Sequence, residues 1–202
     1  MTRDAPKFDP QPIVLEGEFV RLEPLDLSHV DDLALAARDP DIWLWLNTAP
    51  PKDRADMDRQ VRKAVETEFT GVELPFAIIE KKTGKAVGST RYLNIDRPNR
   101  ACEIGWTWLA KEVQRTAVNT EAKFLLMRHA FETLGALRIY LRTDGRNLKS
   151  QRAIERLGAT KEGVFRKERI NWDGFVRDAV FYSILDDEWP RVKDALLAKL
   201  AR

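Results

Sequence analysis

Residues Gln114 to Ala122, Q-R-T-A-V-N-T-E-A, separate an apolar strand, Ala101 to Leu109, from an amphipathic helix, Asn119 to Leu134. A junction of this kind gathers unpaired backbone N–H groups at a helix N-terminus, where the macrodipole also favours negative charge, so an anion is expected there. Asn119 and Thr120 are the expected caps, Glu121 lies in the first turn, and Gly135 follows the last apolar residue. The helix leads into Leu137 to Arg142, where Leu137, Ile139 and Leu141 alternate with Arg138, Tyr140 and Arg142. Strand, helix, strand is a crossover unit, which predicts a mixed sheet with helices on both faces.

Upstream of this unit, Pro75 to Glu80, a Lys82-Thr83-Gly84-Lys85 turn, Ala86 to Leu93, a D-R-P-N-R loop and Ala101 to Leu109 read as an antiparallel meander. Earlier still, Ile13 to Leu22 is a strand interrupted at Glu16-Gly17-Glu18, and residues 1–12, with Pro6, Pro10 and Pro12, are an extended arm. Ser28 with Asp31 has capping-box spacing ahead of a helix that turns Val30, Leu33, Ala34 and Ala37 inward and closes at Asp39-Pro40. A second helix, Asp53 to Glu68, carries Met57, Val61, Ala64 and Val65 on one stripe. Downstream, Asn147 caps a helix with Ala153, Ile154 and Leu157 inward and Gly158 as its stop. Two strands, Gly163 to Asn171 and Phe175 to Leu185, meet at Asp173-Gly174, a hairpin turn, and a helix from Asp187 to Leu200 buries Trp189, Val192, Leu196 and Leu200.

The 202 residues are expected to form one α/β (α+β) domain with a central, mostly antiparallel mixed sheet. Charge is nearly balanced, 34 Lys and Arg against 32 Asp and Glu, with no block of one sign, so neither nucleic-acid binding nor a membrane-surface role is implied. No apolar run reaches spanning length and the N-terminal residues have no apolar signal region, so the expected partner list contains no membrane and the expected location is cytoplasmic. One cysteine, Cys102, excludes an internal disulfide and a cysteine-cluster metal site, and no metal is expected. Cys102 lies in an apolar strand and reads as a buried, inert thiol; His29 and His129 read as surface or packing residues.

The chain resembles the GCN5-related N-acetyltransferase (GNAT) superfamily, in the branch of the ribosomal-protein alanine acetyltransferases RimJ and RimL. The resemblance rests on L-E-G-E-F-V-R-L-E-P-L at 15–25, E-I-G-W-T-W-L at 103–109, Q-R-T-A-V-N-T-E-A at 114–122, N-L-K-S-Q-R-A-I-E-R-L-G-A at 147–159 and R-D-A-V-F-Y-S-I-L-D-D-E-W at 177–189. It implies the GNAT fold, acetyl-CoA as cosubstrate, and direct transfer to an amine acceptor, either a protein N-terminus or a small amine. The family's pyrophosphate loop, Gln/Arg-x-x-Gly-x-Gly/Ala, matches at Gln114, but Ala117 and Asn119 stand in the glycine slots. Arg115 is placed to add charge toward the phosphates. By resemblance the cosubstrate runs along Trp108 and Leu109, then Gln114, Arg115, Thr116, Ala117, Val118, Asn119 and Thr120, with Asn147 and Ser150 on the following helix. Departure from the glycines also admits a rival, a non-catalytic acyl-CoA-binding or interaction protein on the same fold.

Amine acylation needs a neutral amine, and a lysine side chain with pKa about 10.4 costs more to deprotonate than an α-amine near 8. Glu103 is the first candidate base, because alternation sets it with Gly105 and Thr107 opposite Ile104, Trp106 and Trp108. Its other reading is a solvent-facing strand glutamate. Glu168 is the second, near where RimL-like enzymes carry a catalytic glutamate, although Arg166, Lys167 and Arg169 flank it as ion-pair partners. Ser150 matches the family's N-x-x-S pattern and by resemblance lies near the CoA sulfur, where a hydroxyl can hydrogen-bond a thiolate; Tyr182 is a candidate acid or a core residue. By resemblance the segment between the two early helices borders the acceptor cleft; packing is the default for Trp43 and Trp45 there, and their two-residue spacing also allows one ring in the core and the other in that cleft or a homodimer interface.

Overall fold

A computed structural model describes residues 8–201. Among them the strands form one eight-stranded sheet in the order β1-β2-β3-β4-β5-β6-β8-β7. The strands are β1 (Leu15–Glu16), β2 (Val20–Pro24), β3 (Glu73–Glu80), β4 (Lys85–Asp96), β5 (Ala101–Leu109), β6 (Arg138–Asp144), β7 (Thr160–Ile170) and β8 (Val176–Leu185). Every neighbouring pair is antiparallel except β5 with β6, the crossover pair. The helices are α1 (Val30–Ala36), α2 (Arg54–Glu68), α3 (Ala117–Arg128), α4 (Leu148–Leu157) and α5 (Trp189–Leu200).

Alternation along β3 distributes the core. Leu74, Phe76 and Ile78 join the larger cluster with residues of α3, α4 and α5, whereas Ala77 and Ile79 join a smaller one with Val30, Leu33, Met57, Val61 and Ala64 of α1 and α2. The sheet is thus covered on both faces, as its strand-helix-strand pattern requires.

Several boundaries differ from the sequence expectation: α3 ends at Arg128 and gives way to a π turn at His129–Thr133, and β7 begins at Thr160 rather than Gly163. The first strand is two strands, because the chain turns at Gly17, whose N–H donates to Val20 O at 2.9 Å. Asp26, not Ser28, is the first cap: its carboxylate accepts from Ser28 N at 2.7 Å, and its own N–H donates to His29 Nδ1, closing a capping box over the short 3-10 turn Leu27–His29 that precedes α1. Thr116 caps α3 through Val118 N, so that helix begins two residues before Asn119, and Ala117 and Asn119 are helical. Of the expected arm, residues 1–7 lie outside the described residues, while 8–14 adopt no regular element and seat Phe8 in the main core.

One long-range clip ties the N-terminal strands to α3. The Glu121 carboxylate accepts backbone N–H groups from Glu18 (2.7 Å), Phe19 (2.6 Å) and Val20 (2.7 Å). Gly17 is the residue that allows this, because a Cβ there would overlap the Glu121 carboxylate. Glu121→Ala leaves three N–H groups without their acceptor and is expected to cost about 3 kcal/mol. Thermal unfolding reads this as a fall in Tm of roughly 6–12 °C, and an unchanged Tm would show that the turn does not depend on the clip.

Candidate active site

Parallel pairing of β5 with β6 covers only Ala101↔Arg138, Cys102↔Ile139 and Glu103↔Tyr140. Beyond Glu103 the two strands part, β5 staying with β4 and β6 with β8. The cause lies in β5. Ser89 of β4 pairs with Trp108 and Arg91 with Gly105, so two steps on β4 oppose three on β5, and Trp106 takes a left-handed φ of 50°. A bulge of this kind bends its strand and increases its twist, which opens a wedge between β5 and β6.

The bulge also corrects the expected alternation. Glu103 and Gly105 share one face, but Thr107 is carried to the other, where its hydroxyl meets Thr90 at 2.8 Å and Lys123 of α3. Trp108 consequently packs on Trp43 in the α1–α2 cluster, ring centroids 5.3 Å apart.

The wedge is a cavity of about 230 Å³ that brings together Glu103, Asn119, Lys123, Asn147, Ser150 and Trp45. Among the sequence candidates, Asn147 caps α4 by accepting from Ser150 N at 3.0 Å, which fixes the helix start at the cavity and leaves the Ser150 hydroxyl on its wall. Tyr182 is not brought there: its hydroxyl bonds Glu155 at 3.1 Å under α4, and burial, with that bond, pushes the phenol up to about 12. Nor do the side chains of Trp108 and Leu109 reach it, since Leu109 belongs to the main core. Trp45 lines the wedge while Trp43 is buried, its indole donating to Ala37 O at 2.9 Å. Cys102 is buried in the main core, and burial raises its thiol pKa.

Glu103 is 3% exposed, and burial raises its carboxyl above the usual range against the opposing pull of Arg142 and Asn94. Arg142 Nε donates to one oxygen and Asn94 Nδ2 to the other, both at 3.0 Å. Arg142 also reaches Glu168 at 2.5 Å, and Glu168 is bonded by Arg177 at 3.4 Å. The two candidate bases are therefore joined through one guanidinium, and the cations that hold Glu168 come from β6 and β8; of the flanking residues expected to pair with it, Arg169 approaches to 3.8 Å.

The loop before α3 fits an anion. Arg115, rather than either glycine slot, takes the left-handed conformation, with φ 66°, so Ala117 and Asn119 need no glycine-only geometry. Gln114 closes the loop by donating to Leu109 O at 3.0 Å and accepting from Lys149 Nζ of α4 at 2.8 Å. Arg115 is exposed, so the loop offers helix N–H groups with two cations beside them.

Sequence reading missed Lys149, Arg142 and Lys123. Lys123 had a signal: it stands four residues after Asn119 and three before Leu126, on a stripe of α3 that runs through fully buried Leu126 to Ala130 in the π turn that follows. Among the described residues its ammonium reaches only hydroxyls in hydrogen-bond range, Thr107 and Thr90, and burial pulls its pKa down to about 7 although the field of Glu103 opposes.

Comparison with known proteins agrees with this architecture. The chain belongs to the acetyltransferase (GNAT) family, whose domain matches residues 20–160, and it is an N-acetyltransferase. A GCN5-related N-acetyltransferase from Brucella melitensis is 35% identical, with a TM-score of 0.92 over 98% of this chain and 90% of that one. YdaF of Bacillus subtilis (strain 168), a proposed ribosomal N-acetyltransferase, is 30% identical over 83% of this chain and 90% of its own length. RimJ of Mycobacterium smegmatis, solved with CoA-disulfide, is 20% identical and shares the fold, with a TM-score of 0.79 over 96% of each chain.

The depressed Lys123 makes stability depend on pH. The unfolded amine titrates near 10.4, so between about 7 and that value the unfolded chain binds more protons, and raising pH favours the fold. Replacing Lys123 with Met removes this contribution. The Tm of the parent relative to Lys123→Met is expected to rise as pH goes from about 7 toward about 10, and a constant difference would mean the buried amine does not titrate there.

Proposed function

We propose that this enzyme moves an acetyl group from acetyl-CoA directly to a primary amine, a protein N-terminus or a small amine, inside a ternary complex. The observation that carries the reading is the wedge itself, where β5 leaves β6 at Glu103 and the opening collects Glu103, Asn119, Asn147 and Ser150. When bound, acetyl-CoA supplies the reactive thioester carbonyl. The chain's own residues do the rest. Gln114, Arg115, Thr116 and the first turn of α3 (Ala117, Val118, Asn119, Thr120), with Lys149 across the loop, hold the phosphates. The β5 edge, unpaired toward β6 beyond Glu103, offers backbone N–H groups to a carbonyl oxygen.

Glu103 takes the amine proton, directly or through one water. A carboxyl raised by burial is better matched to that task near neutral pH than an ordinary one. Arg142 and Asn94 hold both of its oxygens, so the acceptor amine competes with those donors. Glu168 then acts as a charge partner of Arg142, and Ser150 donates its hydroxyl to the leaving thiolate, with Asn147 fixing the turn that presents it.

Acetyl-CoA is expected to raise Tm, and Asn119→Asp to remove most of that shift by setting a carboxylate against phosphate. CoA release with an amine panel then tests chemistry. Glu103→Gln should lower kcat with little change in acetyl-CoA protection, and higher pH should recover part of the loss by supplying neutral amine. Ser150→Ala should slow turnover roughly tenfold to a hundredfold at nearly unchanged Tm. Full turnover in both variants would remove these two assignments, and acetyl-CoA protection without CoA release for any amine would count against transfer.

A further inference from the structure

A second cavity, of about 260 Å³, lies between the sheet and helices α1 and α2, and it shares Asn47 and Trp106 with the wedge. Trp43, Trp106 and Trp108 line it together with Met57 and Val61. At one end stands Arg91, bonded through Nη1 to Glu73 at 2.6 Å and laid over the Trp106 ring with its guanidinium carbon 4.9 Å from the centroid. Its Nε is buried and has no hydrogen-bond partner among the described residues. A buried N–H without an acceptor is unfavourable, and a ligand oxygen would relieve it.

The charges restrict what that ligand is. Arg91 and Glu73 neutralise each other, so a further buried charge, of either sign, would lose its water without a counter-ion. The other cation lining the cavity is Lys63, an exposed residue, which opposes a cationic tail. The volume is below the roughly 300–1,000 Å³ of pockets for drug-sized ligands, so a polyhydroxylated or polycationic amine is disfavoured by size as well as by charge.

We propose that this cavity receives the acceptor, and that the acceptor is a primary amine bearing an uncharged apolar group of about aromatic side-chain size and a carbonyl oxygen that accepts from Arg91 Nε. The inference rests on the transfer reading above and adds the chemical class of the acceptor. The amine reaches the wedge past Trp106 and Asn47, the residues common to both cavities.

The test uses two independent readouts on the full chain. Three of the six tryptophans line the cavity, so its filling is visible in intrinsic fluorescence. The amide 3-phenylpropanamide, which has the ring and the carbonyl but no basic amine, is expected to change that fluorescence saturably. Ala64→Phe, which puts a ring into the same space, should abolish the change, and Arg91→Met should weaken binding about tenfold. In CoA release, L-phenylalaninamide should exceed glycinamide and 1,4-diaminobutane in kcat/KM at least tenfold, the discrimination expected from burying an aromatic group. Absence of a saturable change in the parent protein overturns the proposal, as does equal kcat/KM for the three amines. Saturable amide binding with no CoA release from any amine would support the pocket and count against the transfer reading, so the two failures are distinguishable.

Discussion

The extra residue in β5 at Gly105 and Trp106 is the constraint on which the site depends. Without it, β5 and β6 would continue their parallel ladder past Glu103, and the side chains of α3 and α4 would face a closed sheet. A left-handed tryptophan costs on the order of 1–2 kcal/mol, and its surroundings hold it there. Arg91 stacks on the Trp106 ring, and the Thr90 and Thr107 hydroxyls bond across the bulge. Gly105 is required beside it, because a Cβ would meet Glu103 Oε1 at 2.8 Å and Leu93 Cδ2 at 3.1 Å. The same bulge sets Glu103 on one face and Thr107 on the other, so a buried carboxyl and a buried amine approach one cavity from opposite faces of the sheet.

Helix α3 has three jobs that its sequence packs into seven residues. Its first turn presents N–H groups beside Gln114 and Arg115, Glu121 ties β1 and β2 to the helix, and Lys123 enters the cavity wall. The clip at Glu121 fixes the helix relative to the sheet from the N-terminal side. Gln114, through Leu109 O and Lys149, fixes the loop relative to β5 and α4. An anion bound at this helix end is therefore held by parts whose positions are already determined, which lowers the ordering cost of binding.

The polar side of the wedge is a chain of charges in which Arg142 serves Glu103 and Glu168 together. Burial alone would drive the Glu103 carboxyl toward neutrality; the shared guanidinium opposes this. Removing one member changes the field at the others, so effects of Glu103, Arg142 and Glu168 substitutions are expected to be non-additive.

Local chemistry made much of the fold legible. Apolar alternation located the strands, Asp173-Gly174 the hairpin, Gly158 the end of α4 and Asn147 its beginning, because each acts within a few residues of itself. The family motifs, in their order, identified the class and pointed to Asn147 and Ser150, while strand alternation pointed to Glu103; all three line the wedge. Caps were less legible: Asp26 and Thr116 compete with Ser28 and Asn119, and neighbouring polar residues offer similar hydrogen bonds until the chain path is set. Alternation failed at Trp106, since a bulge changes phase without any change in composition. The pairing of Arg142 with Glu103, the three N–H bonds to Glu121 and the burial of Lys123 beside two threonines join residues from 16 to 103 positions apart. Sequence determined which elements form and which chemistry they carry; which charges meet, and which are stripped of water, was decided only by packing, because desolvation and Coulomb energy depend on distances that the order of residues does not contain.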